Sequence, residues 1–570
     1  MRLIARCAAL CLLLVGSVAH GGWPTGGTYV MLTGDSQNGA HEARIVLSPA
    51  GDLLVVGVGK GGNALGYTLQ RISAFGDIAP GWPVDGVQLG EVFSGYNSFK
   101  AQGYAVDDSL CFWHATVGFS NATNTPGAQL VNPAGVLLPG ADQGWPAASG
   151  TGSTSYNGDG SAAAPAPGGA YVCWAGRVQR MTRAGTRAAG WPAGGVATGL
   201  SGFDTNCDAD GEGGVIVMPA FVGPPAVQRI DSTGVRHAGW AAPGLVLSSD
   251  PSDGDIDPVP PSSGSLIRSD PTHWIAGWTG AGSSQYIKRV KLQRFSASGV
   301  LDPAWPAAGR LVAFPDTVLS ATLVADGVGG VHVLWFAHGR IWGIHVRSNG
   351  TLFSTEGFGT DLSPETPYRL PETFLDNPLP CVVADAAPGG GLVYAWNEPY
   401  PSKTIHVRWL LPDLTPDPAE PDRVIEPTPP NGHYGRLLTA RSDGIGGVYV
   451  AWEGIRPGTS GADVGEVWMT RLLPSSLAGV GPKAPGFAFS RPRPNPARGA
   501  FALELSLTGD GAARVELLDV SGRVVRARDV SGAGTHAVTF ADVGSLAPGL
   551  YFARATSAAG SATRRIVLAR

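Results

Sequence analysis

The sequence predicts an all-β chain: a β-propeller of eight blades, with seven as the alternative, followed by a small β-sandwich. Three observations predict it. A glycine turn feeding a short apolar strand recurs eight times. A second strand ending in a Gln-Arg-like pair follows each copy. The tail that most copies carry is missing after the last copy and present at the start of the chain. No window holds a 3.6-residue period, while short apolar runs between turn residues recur throughout, as strands require.

From the N-terminus, Arg2 and Arg6 precede an apolar run from Cys7 to Gly16, and Ser17-Val18-Ala19 places small residues at −3 and −1. This predicts a signal peptide over 1–19, cleaved between Ala19 and His20. The run is too short to cross a bilayer, and no later apolar run reaches about 18 residues, so the mature chain is expected to have no membrane span. The expected fate is export. Cys111, Cys173, Cys207 and Cys381 remain after cleavage. Export permits disulfides, and four cysteines allow three full pairings. Cys173 with Cys207, near neighbouring repeat units, is the favoured pair; four buried free thiols are the alternative.

The propeller is expected over 20–475. The recurring strand appears as "PGGAYVCW" (Pro167–Trp174), "GVGGVHVLW" (Gly327–Trp335), "PGGGLVYAW" (Pro388–Trp396) and "GIGGVYVAW" (Gly444–Trp452). "DGEGGVIVM" (Asp210–Met218) lacks the Trp. Looser copies are "GDLLVVGV" (Gly51–Val58), "DDSLCFW" (Asp107–Trp113) and "HWIAGW" (His273–Trp278). The second strands read "LQRI", "AQLV", "VQRM", "VQRI", "LQRF", "IHVR" from Ile344, "IHVR" from Ile405, and "WMTR". Tails with Trp follow at Trp82, Trp145, Trp191, Trp240 and Trp305. Paired glycines allow the turn, and β-branched and aromatic residues suit a pleated, half-buried surface. A unit of roughly 50–65 residues holds about four strands and cannot bury both faces alone, so it stacks on its neighbours. Arranged radially, such units form a propeller. Trp23-Pro24 is a tail without a head, and the eighth unit is a head without a tail. Joining them closes the ring with an N-terminal strand and removes a sheet edge. An open β-solenoid is the other architecture considered.

Residues 476–492 read as a linker, within a stretch rich in Pro, Gly and Ser. In 493–570 the pattern changes. "FALELSL" alternates, with Phe501, Leu503, Leu505 and Leu507 on one face. "ARVELLDVSGRVVRARDV" is two strands about Ser521-Gly522, and "LAPGLYFARATS" with "ATRRIVLAR" is a terminal hairpin. Strands with one apolar face suggest a sandwich.

The repeat pattern resembles β-propeller repeats of bacterial secreted proteins, D-G-x-G-G-x-x-V-A-W followed by Q-R and G-x-x-x-W. It lacks the Gly-His and Trp-Asp pairs of WD-type blades and the S-x-D-x-G-x-x-W boxes of sialidases. Pro494-Asn495-Pro496, "LLDVSGRVVR" (Leu517–Arg526), "LAPGLYFARA" (Leu546–Ala555) and the basic-apolar end resemble the C-terminal type IX secretion sorting domain and the related Ig-like domain of flagellar hook-capping proteins. Arg564 and Arg565 stand where sorting domains often carry Lys. The resemblance implies passage through an export machinery that reads this domain, and surface attachment.

Composition narrows the function. Charged residues are 15% of the chain and the net charge is −5, without a Lys/Arg cluster, so nucleic acid is not an expected partner. No G-x-S-x-G, H-E-x-x-H or P-loop is present, and no cofactor is expected. Residues repeated in many units read as scaffold: Arg71, Arg180, Arg229 and Arg294, and the turn-forming Asp210, Asp326 and Asp443. Departures from the repeat carry the candidates. Asp250, Asp253, Asp255 and Asp257 offer oxygen ligands of the kind calcium prefers. Glu398 and Glu453 follow the strand-ending Trp in adjacent units and could act as acid and base on a glycosidic bond, with Tyr104, His114 and His273 as companions. Trp274, Trp342, Trp409 and Trp468 lie off the repeat positions and could stack on sugars or grip a protein. The expected function is an exported binding or scaffold protein with a glycan or protein ligand; the alternative is a propeller-fold carbohydrate-active enzyme.

Overall fold

The structure, a computed structural model, describes Trp23 and residues 27–35, 40–47, 53–61, 64–73, 76–92, 103–107, 109–120, 123–138, 145–147, 161–200, 205–219, 224–251, 253, 256–258, 266–281, 288–312, 320–337, 340–353, 359–363, 382–397, 404–426, 436–444, 446–457, 463–475, 487–489, 497–507, 512–519, 523–532, 534–557 and 560–569. The signal sequence and its Ala19–His20 junction lie outside these residues. The chain divides into two compact units, Trp23–Ser475 and one containing Ser476–Arg570.

The larger unit is a β-propeller. Among its described residues are eight antiparallel sheets. The third shows the pattern: Ser161–Ala166, Gly169–Trp174, Arg177–Thr182 and Val196–Ala197, hydrogen-bonded in that order. Each recurring strand of the sequence becomes the second strand of a sheet, and each Gln-Arg strand the third. The second strands are buried on both faces, as Gly169–Trp174 is throughout, because each sheet is covered by a neighbour on either side. The first strands touch in succession: Ala40–Leu47, Gly103–Val106, Ser161–Ala166, Thr205–Ala209, Leu266–Asp270, Ser320–Ala325, Val382–Ala386, Arg436–Ser442, and then Ala40–Leu47 again.

The tail tryptophans join one sheet to the next. Trp82, Trp191, Trp240 and Trp305 are buried. Their indole N–H groups donate to a turn carbonyl of the following sheet: Pro133, Ser232, Ala297 and Ser348, at 3.2, 3.4, 2.9 and 2.9 Å. Their rings lie on a glycine of that same turn, Gly135, Gly234, Gly299 and Gly350. Trp145 does the same to Gly185, which has φ +74; a Cβ there would fall 2.4 Å from the indole. The glutamine of each Gln-Arg pair ties the tail to its own sheet. Gln70, Gln179, Gln228 and Gln293 donate to the carbonyls of Pro83, Pro192, Ala241 and Pro306 at 2.8, 2.8, 3.1 and 2.9 Å.

Trp23 takes this part for the eighth sheet. Its ring covers Gly76 in the first sheet's turn. It meets Tyr449 of the eighth sheet edge-on at 5.6 Å, as Trp191 meets Tyr171 at 5.8 Å within the third. Gly27 lies against Trp452, a Cβ there falling 2.4 Å from the ring, and Thr28–Asp35 then pairs antiparallel with Asp463–Leu472. The fourth strand of the last sheet is thus the first strand of the chain.

The smaller unit has two antiparallel sheets. One runs Phe487–Phe489, Phe501–Leu507, Gly534–Phe540; the other Val524–Ser531, Ala512–Leu518, Gly549–Ser557, Gly560–Leu568. The alternating Phe501, Leu503, Leu505 and Leu507 are all buried, against Val515, Leu517, Phe540 and Ile566.

All 16 tryptophans lie within Trp23–Ser475, so their fluorescence reports that unit alone. In urea, Trp191→Ala should lower its stability by about 3–5 kcal/mol. The half-buried Trp23→Ala should cost about 2–3 kcal/mol, although Trp23 lies far from the last sheet in sequence. An unchanged midpoint for Trp23→Ala would remove it from the clasp.

Candidate functional site

Each sheet of the propeller has two ends, and their chemistry differs. At one end the first strand turns into the second and the third into the fourth. Here the acidic turns are consumed in structure. Asp210 accepts the N–H groups of Glu212 and Gly214, both at 2.7 Å; Asp326 those of Val328 and Gly330, both at 2.8 Å. Asp443 accepts that of Gly447 at 2.8 Å. The second carboxylate oxygen holds a basic side chain from the third strand: Arg229 at 2.8 Å, His345 at 2.9 Å, Arg471 at 2.6 Å. Arg71, Arg180 and Arg229 also reach forward, donating to the carbonyls of Pro133, Ser232 and Ala297 at 2.7, 3.0 and 2.8 Å. These are the carbonyls the tail tryptophans use.

The sixth and seventh sheets differ at that arginine's position. The register places His345 and Trp409 there instead, each one residue before the last of its strand pairing. His345 Nδ1 meets the Pro412 carbonyl at 2.8 Å while Nε2 faces Asp326. His332 stacks on it with centroids 4.2 Å apart and donates from Nε2 to the Gly390 carbonyl at 2.7 Å. Its Nδ1 is buried without a hydrogen-bond partner. Burial, then the nearby His345, lowers the His332 pKa to about 4. His114, fully buried against Gln129, is lowered to about 4 by burial.

At the other end lie the connections between second and third strands and between sheets. Ala175-Gly176 in the third sheet is such a connection among the described residues. Glu398 lies outside the described residues. Glu453 sits on Val448–Pro457, opposite Val467, and is only 2% exposed. On the adjacent strand Trp468 is half-buried, its N–H on Glu466 at 2.9 Å and its ring edge-on to Tyr29 at 5.9 Å. Trp342 is half-buried against the sixth core. Trp274 is fully buried, donates to Asp208 at 3.2 Å and carries the Arg268 guanidinium over its ring at 5.2 Å. Trp409 is buried and donates to the Gly446 carbonyl of the next sheet at 3.0 Å. Tyr104 and His114 do come together, stacked at 5.2 Å. His273 sits at the turn end, bonded to Asp270 at 3.1 Å.

Asp250 and Asp253 are brought together, but around a cation of the chain itself. The Lys291 ammonium lies 2.7 Å from Asp250 and 2.9 Å from Asp253, and Ser248 donates to Asp253 at 2.6 Å. Burial works against the Lys291 charge; the two carboxylates outweigh it and raise its pKa. Asp255 and the side chain of Asp257 lie outside the described residues. No group of three or more metal-ligating side chains gathers among the described residues. The sequence reading missed Asp208, whose carboxyl burial raises above the usual range, and the His332–His345–Asp326 cluster.

Residues 493–569 match the family of secretion system C-terminal sorting domains. The chain ends in a sorting tail. It is therefore secreted, to the outer cell surface or the medium. No helix among the described residues is long and apolar enough to cross a membrane. No curated protein matches the chain. Among solved structures it is similar to PorZ, a surface component of the type IX secretion system of Porphyromonas gingivalis (13% identity, 93% of this chain and 70% of that one, TM-score 0.34). It is also similar to a subtype N11 neuraminidase-like protein from a flat-faced bat virus (8%, 78% and 97%, 0.32) and to the polysaccharide lyase Uly1 (10%, 79% and 94%, 0.33). At these TM-scores the likenesses carry no functional argument.

Two outcomes follow from the buried charges. His114 and His332 have folded pKa values below their unfolded value near 6.5. The unfolded chain therefore takes up protons first, and stability present above pH 6.5 is lost as pH falls toward 4, on the order of 3 kcal/mol for each histidine. Urea midpoints across this range should fall, and His332→Gln should flatten the dependence. Lys291→Met leaves Asp253 buried without its cation and should cost about 3–5 kcal/mol; a second change, Asp253→Asn, should recover part of it, measured by the same unfolding.

Proposed function

We propose that this chain is an exported binding or scaffold protein whose eight sheets form the eight blades of a closed ring. Its loop-bearing end takes an extracellular glycan or protein. In this reading 1–19 is removed, 20–475 is the propeller, 476–492 is a linker, and the C-terminal Ig-like domain engages the export machinery and the surface. The observation that carries it is the division of labour between the two ends of the sheets. Asp, Arg, Gln and Trp are spent on scaffold at the turn end, while the connections at the other end differ from sheet to sheet. That is the arrangement in which a rigid frame presents variable loops for recognition. The half-buried Trp342 and Trp468 are the aromatic residues best placed to contribute stacking.

The test is a glycan array and a polysaccharide panel with the purified chain. Retention of one glycan class without product supports the reading. Release of product, lost in Glu398→Gln or Glu453→Gln, would overturn it in favour of a carbohydrate-active enzyme.

A further inference from the structure

The third and fourth sheets meet at two cysteines. Cys173 is on the second strand of the third sheet, Gly169–Trp174, and Cys207 on the first strand of the fourth, Thr205–Ala209; these strands touch. Alternation explains why both side chains enter one layer. Cys173 shares a face with Tyr171, two residues away, and Cys207 stands opposite Val217 in its sheet. Tyr171, Cys173, Val215 and Val217 form one apolar cluster, with Ala164, Val178 and Trp191, against which Cys207 packs. Within it the Cys207 thiol is hydrogen-bonded to that of Cys173. Cys111 is buried in a different layer, with Trp113 and Val172.

We propose that Cys173 and Cys207 form a disulfide that ties the third sheet to the fourth in the exported protein. Both are thiols in this structure. Forming the bond breaks two S–H bonds and makes one S–S bond. The two electrons and two protons pass to the disulfide of a thiol–disulfide oxidoreductase in the export compartment, which leaves as a dithiol. The apolar layer sets the order of events. Its contact with Cys173 and its burial hold the Cys207 thiol well above the ordinary range, so little thiolate forms once the sheets have packed. Exchange therefore precedes docking, and the packed layer then shields the bond from reductants outside. The tie joins sheets that the tail Trp191 and Arg180 already join through Ser232, and it adds a link that does not depend on packing.

The test uses the full chain exported through a bacterial periplasm and purified without reductant. A non-reducing peptide map should show the Cys173 and Cys207 peptides joined and lighter by two hydrogens than the separate pair. Finding both as free thiols, or joined to Cys111 or Cys381, would overturn the proposal. Melting supplies an independent readout. The oxidised protein should melt about 3–5 °C above the same protein refolded with reductant. Cys173→Ser, Cys207→Ser and the double variant should melt alike and ignore reductant. A wild-type melting point that does not respond to reductant would also count against it.

Discussion

The fold depends on an indole laid over a glycine. A four-stranded sheet of this kind has two apolar faces and cannot be stable by itself. Each must find a neighbour, in register, on both sides. The tail tryptophan supplies the register: its ring fits only where the next sheet's turn has no Cβ, and its N–H fits only one carbonyl of that turn. Neither contact is large alone. A neutral hydrogen bond nets about 1 kcal/mol, and burying the ring adds a few more. Repeated from sheet to sheet, they make each sheet's placement conditional on the one before. Trp23 matters for this reason. Without it and Thr28–Asp35, the last sheet would show an unpaired third strand and the first sheet an uncovered turn.

The forward-reaching cation shows how far one position can change while its task persists. Arg71, Arg180 and Arg229 donate to the second residue of the next sheet's turn. His345 donates to Pro412, the corresponding residue of the seventh sheet. Trp409 keeps the donor but loses the charge, and reaches Gly446 of the eighth. The carboxylate behind follows the same rule. Asp210, Asp326 and Asp443 face Arg229, His345 and Arg471 in turn. A buried carboxylate stripped of its partner is costly, so the pair has to vary together. Burial, with the His345 ring stacked 4.2 Å away, lowers the His332 pKa to about 4.

Much of this was legible because it is local. The glycine turns, the apolar second strands, the Gln-Arg strands and the Trp tails each occupy a few consecutive residues, and repetition separates them from chance. "FALELSL" announces its buried face by alternation alone. The first strands were not legible. Ser161–Ala166 reads SAAAPA and Thr205–Ala209 reads TNCDA; small and polar residues suit strands crowded against their counterparts in neighbouring sheets, but they carry no period. The candidate sites fared similarly. Asp250 and Asp253 look like cation ligands in sequence, and they are, but the cation is Lys291, which sequence proximity does not point to. Trp409 lies off the repeat positions in the sequence; strand register shows that it holds the position of Arg71, Arg180 and Arg229.

These assignments narrow where recognition can reside. A side chain already bonded inside the scaffold is poorly placed to exchange that bond for a ligand. Asp210, Asp326 and Asp443 are bonded to turn amides and cations, Asp253 to Lys291 and Ser248, and Trp274 and Trp409 to acceptors within the wall. A glycosidic acid–base pair needs two carboxyl groups open to one sugar, whereas Glu453 is buried on its strand. In the proposed reading, a ligand is met by groups the repeat does not use, where the connections between strands differ in length from sheet to sheet. The chain can change these connections without disturbing the indole over the glycine, because the two sets of contacts are at opposite ends of every sheet. In that reading, the separation lets a repeated, self-locking frame carry a recognition surface with no repeat of its own.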